Sequence, residues 1–228
     1  MRQCLATGAV SASVLQSRSG TGLPRSSFHE YCCGLDSLLG QQADQSGYRL
    51  RRWGLHNADL YSKAGVDRVR ESILRDLASG MRVVLWISLP CGPWCTWHRV
   101  MKGRADYMNE LNKRRRESAK AVQLLLSMLL NIKSSGELSK AGPGKLVCAY
   151  EWPRNNEGWN LQEVKALRRL MPYACEFDGC RYGFKHRKPW RVVTNCRTLM
   201  DTLKLRCSHK EPHGFLRGAL CKKSEGRT

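Results

Sequence analysis

A chain of 228 residues with 42% hydrophobic and 25% charged side chains has the composition of one folded domain, which excludes a disordered or fibrous chain. Its longest charge-free apolar stretch, Ala121 to Ile132, falls short of the roughly 20 residues that cross a bilayer. Lys and Arg number 39 against 19 Asp and Glu, a net charge of +20, and such a surplus speaks first for nucleic acid as partner and only second for an anionic membrane surface.

Residues 1–27 are rich in Ser, Gly and Thr, hold Arg2, Arg18 and Arg25 and contain no acid. They read as a flexible basic tail or as an organelle transit peptide. The 11 cysteines come with no secretory signal and no Cys-x-x-Cys pair, as in a nuclear or cytoplasmic chain with reduced thiols. From Phe28 onward short apolar runs alternate with helical patterns, so residues 28–228 are expected to form an α/β domain, a mostly parallel sheet with helices on both faces. Ser27–Cys32 reads as the first strand, followed by Gly34 and a helical turn at Leu35, Leu38 and Leu39. Tyr48–Trp53 reads as the second strand, and a third element ends near Asp59-Leu60. Val66, Val69, Ile73, Leu74 and Leu77 recur at helical spacing until Gly80 stops them. Met81–Leu89, apolar almost throughout, is a central strand. A helix from about Tyr107 to Ile132 starts with the basic run Lys113-Arg114-Arg115-Arg116 and ends apolar nearly all round, hence buried. Lys133–Gly144 reads as a polar loop and Leu146–Glu151 as a further central strand. Asn160 with Glu163 resembles a capping box opening a helix to Leu170. Trp190–Thr194 is a late strand, and Thr198 with Asp201 opens a last helix to about Leu205.

Ligands of open parallel sheets bind outside the carboxyl ends of the strands. Three such ends carry chemistry here. Glu30-Tyr31-Cys32-Cys33-Gly34-Leu35-Asp36 offers a turn where backbone can approach a cofactor closely. Leu89-Pro90-Cys91-Gly92-Pro93-Trp94-Cys95 presents Cys91 from a segment kept irregular by two prolines and a glycine. Tyr150-Glu151-Trp152-Pro153 puts an acid at a buried strand tip, where an acid needs a partner.

Pro90-Cys91 after one strand, with Glu151 after the next, resembles the cytosine-5 DNA methyltransferases, whose hallmark motif reads Pro-Cys-Gln-x-Phe-Ser and whose later Glu-Asn-Val supplies an acid. Trp94 stands for the Phe and Cys95 for the Ser, while Gly92 replaces the Gln and Trp152-Pro153 the Asn-Val. Glu30–Asp36 is similar to the first cofactor motif of that fold, lacking its second glycine, and Asp59-Leu60 to its Asp-Ile/Leu contact. Arg187-Lys188-Pro189-Trp190-Arg191 partly echoes a later Gln-x-Arg-x-Arg motif. From Phe28 to about Asn195 the element order resembles a class I S-adenosylmethionine-dependent methyltransferase domain, which is Rossmann-like. The segment also looks like methyltransferase-like modules of phage and retroelement polyproteins.

The resemblance implies a function: S-adenosylmethionine-dependent methylation of cytosine C5 in nucleic acid, DNA ahead of RNA. Glu30, Cys32, Gly34, Asp36, Asp59, Leu60 and Pro90 would hold the cofactor. The Cys91 thiolate would add to C6 of the cytosine and make C5 enamine-like. Glu151 would hold or protonate the neighbouring ring nitrogen, and Arg191 would steady the ring carbonyl or a phosphate. The base would leave its stack to reach the pocket. No stretch is long enough for a separate target-recognition domain, so either a truncated chain or a partner supplying that domain is expected. Arg99, Lys102 and Arg104 suit a lid over nucleic acid or a solvated polar loop, and Lys113, Arg114, Arg115 and Arg116 suit a nuclear address, phosphate contacts or a merely solvated helix face.

The alternative is a basic nucleic-acid-binding module without catalysis, either a decayed methyltransferase fold or one stabilised by zinc. Cys207-x-His209-x3-His213 supplies three ligands in the 206–228 segment, and Cys175, Cys180 or Cys196 would supply a fourth. Trp94, Trp97, Trp152 and Trp190 would then stack on bases or fill the core.

Overall fold

A computed structural model describes residues 25–101, 103–184, 188–210 and 213. Residues 1–24 of the expected tail, Lys102, Arg187 and residues 214–228 lie outside the described residues. The elements run β1 Ser26–Tyr31, α1 Leu38–Gln45, β2 Arg49–Trp53, α2 Lys63–Ala78, β3 Arg82–Ile87, α3 Ala105–Lys133, α4 Gly136–Ala141, β4 Leu146–Pro153, α5 Gln162–Leu170, β5 Tyr173–Asp178, β6 Pro189–Thr194 and α6 Arg197–Leu203. Strand β1 thus begins inside the stretch expected to be tail.

The sheet has six strands in the order β2-β1-β3-β4-β6-β5. The pairs β1–β2, β1–β3 and β3–β4 are parallel, whereas β6 runs antiparallel between β4 and β5. The fold is therefore mixed α/β with a mostly parallel sheet. The strand order reverses between β1 and β3, where open α/β sheets place their ligand crevice. Along β3, Val83, Leu85 and Ile87 face a cluster built with α2, α3 and α5, while Val84 and Trp86 face a second cluster with α1 and α6. Cover on both faces explains why Met81–Leu89 is apolar without alternation.

Several expectations need correction. The apolar half of α3 is not buried all round: Ala121, Val122, Leu125, Met128, Leu129 and Ile132 form the buried stripe, and Leu130 is 48% exposed. The polar loop at 133–144 contains α4, capped by the Ser135 side chain. Asn160 and Glu163 form no capping box; α5 follows Leu161 without a side-chain cap, and Asn156 caps the preceding 3-10 turn instead. Thr198 does not open α6, which follows Cys196. Asp59-Leu60 ends no element: the Asp59 side chain and carbonyl shape the turn before α2, accepting from the backbone N–H groups of Tyr61 and Ser62. Strand β5 was not foreseen.

A buried polar network ties β1, β2 and α2 together. Trp53 Nε1 donates to His29 Nδ1 at 3.2 Å, which leaves His29 Nε2 to donate to Asp76 Oδ2 at 3.0 Å. Arg51 adds two hydrogen bonds to Asp76 at 3.2 Å each, with Arg49 at 3.5 Å. Burial works against the Asp76 charge, but His29 and Arg51 outweigh it and hold the carboxyl well below the usual range. Burial keeps His29 low as well, against the pull of Asp76. Among the described residues no helix is long and apolar enough to cross a membrane.

Candidate functional site

The expected cofactor side of the sheet begins where β1 leaves it. Cys32 has φ 70°, the only positive φ of a non-glycine residue among those described. Strain of this kind persists only where surrounding structure enforces it, and it gathers at functional sites. Here the enforcement comes from β2: the N–H groups of Cys32 and Cys33 both donate to Trp53 O, at 2.8 and 3.1 Å. Gly54 lets the two turns approach, since a Cβ there would stand 2.6 Å from Cys33 O. Behind the turn, the fully buried Glu30 accepts from the Ser37 hydroxyl through Oε1, while Oε2 has no hydrogen-bond partner among the described residues. Burial raises the Glu30 pKa, opposed by Ser37 and by the charge of Arg52. Of the other residues expected to hold a cofactor, Asp36 and Asp59 are exposed and Gly34 and Pro90 half-buried. Leu60, 2% exposed, belongs to the core, so it offers a ligand its backbone alone.

Beyond β3 the chain is pinned from several elements. Trp152 Nε1 donates to Leu89 O at 2.6 Å, Asn156 Nδ2 to Cys91 O at 3.0 Å and Arg115 Nε to Pro93 O at 2.9 Å. The His98 Nε2–H donates to Gly92 O at 2.6 Å, leaving Nδ1 to accept from the Tyr107 hydroxyl. Trp94 Nε1 reaches Ser118 Oγ on α3 at 2.9 Å. The Pro-Cys-Gly-Pro turn is thus fixed, with the Cys91 side chain half-buried against the α2/α3/α5 cluster. Its neighbour Tyr150 has a phenol raised well above the usual range by burial, with Cys91 and Cys32 adding to the effect.

Glu151 takes the other side. It alternates with Tyr150 and Trp152, whose rings lie in the α2/α3/α5 cluster, and so projects toward α1 and α6. It is 3% exposed; Oε1 accepts from Ser88 Oγ at 2.8 Å and, among the described residues, Oε2 has no hydrogen-bond partner. Burial pushes its pKa up to about 7, against the Ser88 hydroxyl and the charge of Lys188, with the nearby Glu30 adding to the rise. Thiol and acid therefore leave adjoining strand tips toward different faces of the sheet. Arg191 on β6 is engaged by Glu176 on β5, at 3.1 Å from Nε and 2.6 Å from Nη2, and its guanidinium lies 5.5 Å from the Trp159 ring centre.

The expected basic contacts divide. Arg104, Lys113 and Arg116 are exposed. Arg99 and Arg115 both bind Glu157, at 2.8 and 3.0 Å, and Arg115 lies 5.2 Å over Trp94. Arg114, half-buried, lies against the turn at Gly92, where a Cβ would stand 3.7 Å from its Nη2. A cleft of about 360 Å³ opens here between His98, Arg99, Met108, Leu111, Arg115 and Glu157. Among the described residues, five of the seven exposed large apolar side chains (Leu35, Leu38, Leu55, Trp97 and Val100) sit in the stretches that follow β1, β2 and β3. Ser88, His98, Asn156 and Glu157 were missed from sequence; only Ser88, a hydroxyl ending an apolar run, carried a readable signal.

At the opposite side of β6, Cys180, Cys207, His209 and His213 place one donor atom each within 4.8 Å of one another, a group that could hold a metal ion. The sequence trio is thus assembled. Cys180 joins it, while Cys175 is buried in the α1/α6 cluster and Cys196 packs against that cluster. The chain matches no protein-family model, no curated protein and no solved structure.

Proposed function

We propose that this chain is a Rossmann-like, cytosine-5 methyltransferase-like enzyme acting on nucleic acid, DNA first, through a Cys91 covalent intermediate. The observation that carries the reading is the half-buried thiol in a turn pinned by Trp152, Asn156 and Arg115, at the tip of the central strand next to the β1/β3 reversal. The β1 and β2 tips suit S-adenosylmethionine: a strained turn at Cys32, carboxylates at Asp36 and Asp59, and apolar walls at Leu35 and Leu55. That cofactor, when bound, supplies an electrophilic methyl group.

The chain's own residues do the rest. Cys91, in a turn flanked by Arg114 and Arg115, adds as thiolate to C6 of an extruded cytosine; once C5 carries the methyl group, loss of the C5 proton to water expels the thiolate and restores the 5,6 double bond. Glu151, which keeps a proton up to about neutral pH, is the group assigned to donate to the ring nitrogen, although its carboxyl faces α1 and α6, across the sheet from the thiol. Arg191 steadies the ring carbonyl on release from Glu176. Extrusion of the base costs a few kcal/mol, offset by phosphate contacts at Arg104, Lys113 and Arg116. A partner supplies target recognition, and the work is done in the nucleus or cytoplasm. The test is an oligodeoxynucleotide carrying 5-fluorocytosine, incubated with S-adenosylmethionine. A covalent adduct seen by mass, absent in Cys91→Ser, supports the reading; no adduct and no thermal stabilisation by the cofactor removes it.

One observation favours a second reading, a non-catalytic nucleic-acid-binding module with or without zinc: the thiol and acid face different sides, and Arg191 is held by Glu176. It predicts salt-sensitive binding with no adduct.

A further inference from the structure

We propose that Cys180, Cys207, His209 and His213 form a closed, structural Zn²⁺ site that fastens the segment after α6 to the edge of the sheet. The inference stands apart from the methyl-transfer reading and uses none of its residues.

The donor set is two thiols and two imidazoles, the borderline-soft combination that selects zinc in tetrahedral sites. The geometry fits such a centre. With Zn–S near 2.3 Å and Zn–N near 2.0–2.1 Å, neighbouring donors of a tetrahedron stand roughly 3.4–3.8 Å apart. Cys207 Sγ lies 3.3 Å from His209 Nδ1 and 3.0 Å from His213 Nε2, and all four donor atoms fall within 4.8 Å of one another. The two imidazole rings meet edge to face at 86°, so their nitrogens converge on the sulfur instead of stacking past it. The His209-x3-His213 spacing lies within the range used by zinc-binding imidazole pairs.

The carriers of these donors are held in place independently. Cys180 lies in the 3-10 turn Gly179–Tyr182 that ends β5. Cys207 N donates to the buried Asp178 Oδ2 at 2.9 Å, Asp178 N donates to Leu205 O at 3.0 Å, and Arg181 Nη1 donates to Ser208 Oγ at 2.6 Å. These contacts orient the turn and the segment toward each other, the service that outer groups give to metal ligands. A Cys180–Cys207 disulfide would leave two imidazoles aimed at an oxidised sulfur with nothing to bind. Two thiolates and two neutral imidazoles around a dication sum to zero charge, which adds nothing to the self-repulsion of a chain at +20. All four positions are protein donors, so the centre keeps no open position for chemistry.

The experiment uses the full chain purified under reducing conditions. Elemental analysis is expected to give one zinc per chain, falling to none in Cys180→Ser and in His213→Ala and staying at one in Cys196→Ser. Chelation of the wild type is expected to open trypsin cleavage after Arg206 and Lys210, and added Zn²⁺ to close it. Replacement by Co²⁺ in the wild type gives thiolate charge-transfer and tetrahedral d–d bands, a readout that needs no variant to fold. A metal-free chain with the same protease resistance, zinc retained in both Cys180→Ser and His213→Ala, an octahedral cobalt spectrum, or a Cys180–Cys207 disulfide would each overturn the site. Loss of the fluorocytosine adduct with zinc intact refutes the methyl-transfer reading alone.

Discussion

Replacing Glu151 with glutamine is expected to make the protein more stable relative to wild type as pH rises. The carboxyl sits at 3% exposure with a hydroxyl on one oxygen and, among the described residues, no hydrogen-bond partner on the other, and burial lifts its pKa from 4.5 to about 7. Once unfolded, the same group ionises near 4.5. Between these two values the unfolded chain has released a proton that the folded chain still holds, so stability falls as pH rises. At about 1.4 kcal/mol per pH unit, that interval amounts to a loss of roughly 3 kcal/mol, complete once pH passes the folded value. Glutamine has the same shape and no proton to lose. Its amide N–H groups need acceptors in the pocket, at a cost of about 1–3 kcal/mol where they find none, but this cost does not vary with pH. The measurement is guanidinium unfolding of both proteins across a pH series from about 4 to about 8, reported as the difference between them. That difference should move in favour of the variant by roughly 3 kcal/mol over the series. Titrating groups that are not coupled to Glu151, Asp76 among them, cancel in it. A flat difference, or one moving the other way, would refute the assignment of a buried, neutral-at-rest carboxyl. An acid that costs stability in its own fold is what a retained functional group looks like.

Asp76→Ala is expected to cost about 3–5 kcal/mol at neutral pH, because it strands His29 and Arg51 without their buried partner. Since the folded pKa of Asp76 lies below the ordinary 3.8, its stabilisation is present above that value and lost as pH falls through the folded one. The deficit, read from urea midpoints, should therefore shrink under strong acid. The double variant Lys113→Ala, Arg116→Ala removes two exposed charges and should reduce the slope of log affinity against log salt by roughly 2, with unchanged melting temperature.

The large elements were legible because their periodicity is strong. An unbroken apolar run reads as a strand covered on both faces, and β3 is one; the apolar stripe of α2 reads at helical spacing. Strand β5 was hidden for a physical reason. Among the described strands it pairs on one side only, and its six positions, Glu176 among them, follow no regular alternation of buried and exposed, so its pattern is faint. Two consequences at the sites follow from that one omission: the Glu176 partner of Arg191 and the choice of Cys180 for the metal group both come from β5 or the turn that ends it. The facing of Cys91 and Glu151 was unreadable for a different reason. Strand alternation orients Glu151, but Cys91 lies beyond β3 in a loop whose direction is set by Trp152, Asn156 and Arg115, residues distant in sequence. The capping residues misread at α5 and α6 show that a Ser, Thr or Asn near a helix start competes with turns just upstream; Asn156 caps such a turn.

The place of β6 bears on how the sheet is assembled. It arrives last in sequence yet fills the slot between β4 and β5. Until residues 189–194 have been synthesised, β5 has no strand to bond with, and β4 presents an open border. Closure is thus late in synthesis, although its pairings span less sequence than the parallel ones of β1 with β3 and β3 with β4. A nascent or stalled product ending before Pro189 would carry two unsealed borders one strand-width apart, a gap that the β6 segment of a second copy could enter.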